Sequence, residues 1–303
     1  MLNRAPIFIN GFPRGGTTIL QNLIVSHPNV CLLSGETHQI FYGKPVEPIK
    51  KWVHRASYLP ILATSRQHIF RPALLEQRNS IPRPLMHYVD LLFYVSKMSR
   101  GGNVLFNETE RRSWKDISQA RLLCKNMNGL ALVSDVFADM YPDATFIALV
   151  RNGFAVCEGW IRRGRTAEYA GRMYSRVCER MIEDSQRMPN YHIIHFEDMI
   201  SDPVSTVQQV YEYADLDVSQ VTRFGLRARE SMDKDGVRRV TVGQKRQTIW
   251  LDTEALGSYF RKDVNQNQIA RLKESDREVF LEHARRPMEH FGYLNECRSV
   301  QAG

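Results

Sequence analysis

An α/β fold is expected for this chain: a P-loop-like parallel sheet flanked by helices, with a loop-and-helix insertion. Three observations point to it. Short apolar runs, such as Ile7–Asn10 and Thr145–Val150, alternate with helical stretches, the pattern of a parallel sheet covered on both faces. The first run leads through a glycine-rich turn straight into a helix. The 303 residues, 43% hydrophobic and 24% charged, are enough to bury one large core.

In chain order, Ile7–Asn10 reads as a buried strand and Thr17–Val25 as a helix with Ile19, Leu20, Leu23 and Ile24 inward, stopped by Ser26, His27 and Pro28. From residue 43 to about 120 the character changes. Prolines recur at Pro45, Pro48, Pro60, Pro72, Pro82 and Pro84 among many basic residues, with one apolar helical patch over Met86–Met98. This stretch is expected to be an insertion outside the core. Order returns at Arg121–Asn126, followed by a helix over Ser134–Met140, a turn at Tyr141–Asp143, the strand Thr145–Val150 and a helix over Ala155–Arg163. A further strand covers Tyr191–Phe196, and amphipathic helices cover Val204–Ala214 and Arg277–Ala284. With no internal repeat or low-complexity tract, residues 1–303 are expected to form a single domain.

The segment Pro6–Leu20, PIFINGFPRGGTTIL, has the makings of a phosphate cradle. Gly11, Gly15 and Gly16 allow backbone N–H groups to approach an anion, and the new helix aims its unpaired N–H groups and positive dipole end at the same point. Thr17, Thr18 and the Arg14 guanidinium complete the shell. An ATP- or GTP-binding P-loop, G-x-x-x-x-G-K-[ST], needs a Lys before its hydroxyl residue, and here Thr17 stands in that place. The cation precedes the glycines instead of following them. A second cation, Arg151, stands at the carboxyl end of the strand Thr145–Val150, the edge where open α/β sheets bind ligands. Taken alone, Arg151 could equally pair with a carboxylate at the strand end.

Composition narrows the classes. No apolar run approaches the roughly 18 residues of a membrane span, and the amino terminus lacks a signal-peptide pattern, so a cytoplasmic protein is expected. Cys31, Cys124, Cys157, Cys178 and Cys297 are odd in number and never spaced as CxxC, which predicts reduced thiols with neither a disulfide framework nor a zinc site. A net charge of +8 fits nucleic acid, an anionic membrane or an anionic small ligand. A donor bearing several negative charges explains it more economically than nucleic acid does.

The loop at Arg14 resembles the 5′-phosphosulfate loop of sulfotransferases that use 3′-phosphoadenosine 5′-phosphosulfate (PAPS), written P-[RK]-[SG]-G-T-T. The strand end at Arg151 is similar to the family segment in which an Arg, and usually a Ser eight places later, hold the 3′-phosphate. The eighth place here is Gly159, so the resemblance implies that Arg151, with Arg163, carries that phosphate without the hydroxyl. Ser26–Val30, Ser34–His38 and Leu123–Asn126 resemble the tyrosylprotein-sulfotransferase-like branch, in which a Glu before a Thr is the catalytic base and a Lys is catalytic. His195–Pro203 and His290–Tyr293 resemble a shared strand-and-turn and a usual carboxyl-terminal ending. The insertion matches nothing in the family.

What the resemblance implies is metal-free sulfuryl transfer from PAPS to a hydroxyl, releasing 3′,5′-adenosine diphosphate. Such a transfer needs a base for the acceptor proton, cations on the leaving oxygen and in-line positioning. Glu36 is expected as the base, with His38 as its rival, and Arg14 and Lys125 as leaving-group stabilisers; by residue type alone Glu36 could be an exposed loop carboxylate and Lys125 a solvated helix-start lysine. Phe196 is expected either to stack on adenine or to lie in the core. Lys245 and Arg246 belong to a basic stretch, Arg238–Arg246, that either closes over the 3′-phosphate or is solvated surface; one family lysine falls at Trp250. Glu197 and Asp198 are read as fixing local loop structure. The acceptor is expected to be a glycan, a lipid-linked sugar or a hydroxylated small molecule, with peptide tyrosine as the alternative. A kinase or NTPase and a basic nucleic-acid binder are the competing classes. The insertion is expected to bind the acceptor and could carry a homodimer contact.

Overall fold

The computed structural model describes residues 1–33, 37, 83–99, 113–227, 231–232, 238–239 and 248–294. Five parallel strands form one sheet in the order β2-β3-β1-β4-β5: β1 Ile7–Gly11, β2 Val30–Leu32, β3 Arg121–Met127, β4 Thr145–Val150 and β5 Tyr191–His195. Parallel neighbours require crossovers, and helices supply them. In chain order these are α1 Thr17–Val25, α2 Arg83–Met98, α3 Trp114–Gln119, α4 Ser134–Met140, α5 Gly153–Ile161, α6 Ala167–Arg187, α7 Phe196–Ser201 and α8 Pro203–Tyr213. Beyond them β6 Phe224–Arg227 pairs antiparallel with β9 Thr248–Leu251, and β7 Ser231–Met232 with β8 Arg238–Arg239. Helices α9 Thr253–Tyr259, α10 Val264–Ile269 and α11 Glu274–His290 follow.

Strand side chains alternate between two cores, as a period of two requires. Phe8, Leu122, Cys124, Phe146, Ala148 and Val150 face the core built with α2, α4, α6 and α11. Ile7, Ile9, Leu123, Ile147 and Leu149 face the core built with α1, α7, α8 and β6. The first core has an aromatic row at its centre, with Phe8 stacked on Phe137 at 4.5 Å and on Phe146 at 5.2 Å, and Phe146 on Tyr191 at 5.8 Å. This alternation also sorts the polar strand ends. Lys125 shares the α1 face with Leu123, whereas Asn10 and Asn126 share the opposite face, where Asn126 Nδ2 donates to Asn10 Oδ1 (3.1 Å) and Asn10 Nδ2 to Ser134 Oγ (2.8 Å) and the Tyr191 hydroxyl (3.1 Å).

Most elements lie within two residues of their expected bounds. Helix α5 starts earlier, at Gly153, because the Asn152 side chain accepts the Phe154 N–H at 3.0 Å and caps it. The strand expected to include Phe196 ends at His195, and Phe196 opens α7. Lys125 lies inside β3 and is buried, so the helix-start reading does not hold. Several elements were not anticipated: β2, α3, α7, β6 to β9, α9, α10 and α6, the last of them 21 residues long. In the region expected to be an insertion outside the core, α2 departs from that expectation. Its Met86, Val89, Leu92 and Phe93 enter the first core.

Asp90 of α2 ties this helix to the amino terminus and to the turn after α4. Its buried carboxylate accepts from the backbone N–H groups of Leu2 and Asn3, from Asn3 Nδ2 (2.8 Å) and from the Tyr141 hydroxyl (2.9 Å). Burial and the Asp90 charge push the Tyr141 phenol well above its ordinary range. Asp90→Ala strands these donors and is expected to lower stability by about 3 kcal/mol in urea denaturation. A loss below about 1 kcal/mol would mean that water replaces the carboxylate.

Candidate functional site

The turn from β1 to α1 has two left-handed residues, Arg14 at φ 72° and Gly16 at φ 92°. Arg14 is strained there, since its Cβ crowds the backbone. Three bonds hold the turn against that strain: Gly15 N–H to the Phe12 carbonyl (3.0 Å), Trp160 Nε1–H to the Pro13 carbonyl (2.8 Å) and Arg151 Nη1–H to the Arg14 carbonyl (2.6 Å). Gly16 is the N-cap of α1 and supplies no side-chain cap, and the first turn holds no acidic residue. The helix start is therefore suited to an anion. Thr17 is buried and Thr18 exposed at this end.

Phe196 forms the floor of the turn. A Cβ on Gly16 would lie 2.3 Å from its ring, so no side chain fits between them. The ring is only 2% exposed and supports the Arg151 guanidinium at 4.1 Å from its centroid. Phe196 belongs to the second core. Gly159 makes the second close approach: a Cβ there would meet Arg14 Cβ at 3.0 Å and Cγ at 3.1 Å. The stem of Arg14 fills the space beside Gly159.

Arg151 leaves the end of β4 and is 4% exposed. Besides the Arg14 carbonyl, Nε donates to Asn265 Oδ1 (2.8 Å) and Nη2 to Gln268 Oε1. Its own carbonyl accepts from the Tyr174 hydroxyl at 2.9 Å. Desolvation brings the guanidinium down to about 10, opposed by the Glu197 charge and assisted by Arg14. Behind Asn265 stands Glu197, whose Oε1 also accepts the Asn152 N–H (3.0 Å) and whose Oε2 accepts the Tyr293 hydroxyl (2.9 Å), with His195 Nδ1 at 2.9 Å from that hydroxyl. Behind Gln268 stands Glu158, which binds Gln268 Nε2 (3.2 Å), Arg271 Nε (3.1 Å) and Arg162 Nε (2.8 Å).

Lys125 reaches the same turn from β3, its Nζ 3.5 Å from Thr18 Oγ1, and its carbonyl accepts from Thr37 Oγ1 at 3.0 Å. Arg14, Gly15, Gly16, Thr17, Thr18, Lys125, Arg151, Gly159 and Phe196 are thus brought together. Arg163 is exposed in the turn after α5 and has no part in the Arg151 network. Glu36, His38, Lys245 and Arg246 lie outside the described residues, as does most of the expected insertion. Sequence reasoning missed Trp160, Tyr174, Asn265, Gln268 and Tyr293, and gave Glu197 only a local role. The lone signal for the amides was their spacing of three, which puts both on one face of α10.

Among the described residues no group of three or more His, Cys, Asp or Glu could hold a metal ion, and no helix is long and apolar enough to cross a membrane. Gly16→Ala is expected to cost about 2–3 kcal/mol, combining left-handed strain with the clash on Phe196. Thermal melts of Gly16→Ala with and without Phe196→Leu check this, and the smaller residue should recover the steric part.

No curated protein matches the sequence. Solved structures similar to this chain include a sulfotransferase domain of the Synechococcus PCC 7002 olefin synthase, at 18% identity over 73% of this chain and 77% of that one, TM-score 0.44. A sulfotransferase domain from the curacin biosynthetic pathway is 15% identical over 91% and 96%, TM-score 0.47. A mouse sulfotransferase in complex with PAP is 12% identical over 98% and 88%, TM-score 0.43. The model of the sulfotransferase family matches residues 6–220, which take in the Arg14 turn, Lys125, the Arg151 strand end and Phe196, and the chain belongs to that family.

Proposed function

We propose that the protein transfers the sulfuryl group of PAPS to a hydroxyl acceptor and releases 3′,5′-adenosine diphosphate. The observation that carries this reading is the direct link between a phosphate turn without a P-loop lysine and a second buried cation, made by the 2.6 Å bond from Arg151 to the Arg14 carbonyl. A nucleotide with phosphates on both its 5′ and 3′ oxygens offers one anion to each. The uncapped start of α1, with Gly15, Gly16, Thr17 and Thr18, would hold the 5′ group. Arg151 would hold the 3′-phosphate, with Arg163, Lys245 and Arg246 as additional candidates.

In the reaction the acceptor oxygen bonds to sulfur as the bond from sulfur to the 5′-phosphate oxygen breaks. Glu36 takes the acceptor proton, with His38 as the alternative base. The electron pair of the broken bond stays on the phosphate, where Lys125 and Arg14 stabilise the growing charge. The burial of Lys125 beside Thr18 supports this role, because a desolvated cation at the turn interacts more strongly than a solvated one. A glycan, lipid-linked sugar or hydroxylated small molecule is proposed as the acceptor, with peptide tyrosine as the alternative.

Calorimetric titration with 3′,5′-adenosine diphosphate, 5′-AMP and ATP, with and without Mg²⁺, tests the donor. Metal-independent preference for the 3′-phosphorylated nucleotide, lost in Arg151→Ala, is expected. Preference for ATP with Mg²⁺ would move the protein to the kinases. For the chemical step, Glu36→Gln should keep nucleotide affinity while turnover falls about 10²–10⁴-fold. Unchanged turnover would transfer the proton to His38.

A further inference from the structure

Among the described residues, none of the hydrogen bonds made by the buried Arg151 guanidinium goes to a carboxylate. Its three acceptors are the Arg14 carbonyl and the side-chain amides of Asn265 and Gln268. Two carboxylates stand one residue further away, and each is reached through an amide. Asn265 accepts from Arg151 with its oxygen and donates to Glu197 with its nitrogen, while Gln268 accepts from Arg151 and donates to Glu158 at 3.2 Å. The partners fix the orientation of both amides, since the guanidinium only donates and a carboxylate only accepts. Each carboxylate is itself held elsewhere, Glu197 by the Asn152 N–H and Tyr293, Glu158 by Arg162 and Arg271.

A direct carboxylate would satisfy a buried arginine more strongly, since charge-assisted pairs are the stronger bonds. It would also cancel the charge that an incoming anion needs. An amide satisfies the donor geometry and leaves the charge intact. We infer that Asn265 and Gln268 are positioning residues that insulate Arg151 from Glu197 and Glu158, keeping its guanidinium oriented yet electrostatically available to the 3′-phosphate of the donor. The inference rests on the donor reading above and names residues of α10, which lies beyond the segment matched by the family model.

The test uses near-isosteric charge changes. Asn265→Asp and Gln268→Glu each place a carboxylate directly on Arg151, whereas Asn265→Ala and Gln268→Ala remove the amide without adding charge. The quantity read is the ratio of affinities for 3′,5′-adenosine diphosphate and 5′-AMP, measured by calorimetry beside each variant's melting temperature. In the two acidic variants that ratio should fall about tenfold or more, with 5′-AMP affinity and melting temperature near wild type. The alanine variants should lose markedly less. An unchanged ratio in the acidic variants, or equal losses in the acidic and alanine variants, would overturn the inference. Should Asn265→Asp fail to fold against Glu197, Gln268→Glu decides, because the carboxylate it faces, Glu158, is already paired with Arg162 and Arg271. A wild type with no preference for the 3′-phosphate would defeat the donor reading instead. Inorganic sulfate, titrated against the same variants and Arg151→Ala, then reads the Arg151 charge alone, and equal sulfate affinity in wild type and Gln268→Glu would defeat the insulation as well.

Discussion

The burial of one positive charge, Arg151, organises the functional end of this protein. Withdrawing a guanidinium from water is costly unless its donors are satisfied. The fold satisfies them with three groups from two distant parts of the chain: the Arg14 carbonyl in the first turn and two amides of α10. Phe196 supports the flat face from below. Because the Arg14 carbonyl belongs to a left-handed residue, the bond that satisfies Arg151 also holds the turn in its strained shape. The turn, the strand end and α10 are consequently one mechanical unit. A change in any of the three is felt by the other two.

The strict alternation of the sheet then decides which polar residues can take part. Lys125 shares a face with Ile9 and Leu123, and so arrives beside Thr18 at the start of α1. Asn126, its immediate neighbour, points the other way into a polar cluster with Asn10, Ser134 and Tyr191 that joins β1, β3, α4 and β5. One residue therefore serves the candidate site and the next the frame. A single-residue slip of β3 would exchange them, burying Lys125 among aromatic rings. The burial of Leu122 and Cys124 in one core and of Leu123 in the other opposes that slip.

Much of this was legible in the sequence, and the part that was not has a physical reason. The strands β1 and β4 and the helices α1 and α4 announced themselves because their apolar patterns are dense and their ends carry glycine, proline or capping residues. Helix α6 was passed over because its buried stripe mixes Val177 and Met181 with small or polar residues such as Ala167, Ala170, Gly171 and Asp184, amid many charges. Arg14 was named from the glycine-rich turn and Arg151 from its place at a strand end, whereas Lys125 rested on the family resemblance of Leu123–Asn126. Asn265 and Gln268 were not, since an amide in a polar helix has no chemical signature until its partners are known. Phe196 shows the converse: its residue type allowed two roles, and its burial and its contact with Gly16 could not be read from the sequence.

The chain of bonds from Arg151 through Asn265 and Glu197 to Tyr293 has a consequence for biosynthesis. The turn at Arg14 leaves the ribosome among the first residues, yet the groups that complete its surroundings are made some 250 residues later. At about 5–20 residues per second this interval is at least about 12 s, during which the sheet can form but Arg151 lacks its last partners. The site is thereby assembled late, when α10 docks on a strand end made 114 residues before Asn265. A nascent chain holds Arg14 and Arg151 well before it holds them in their final setting.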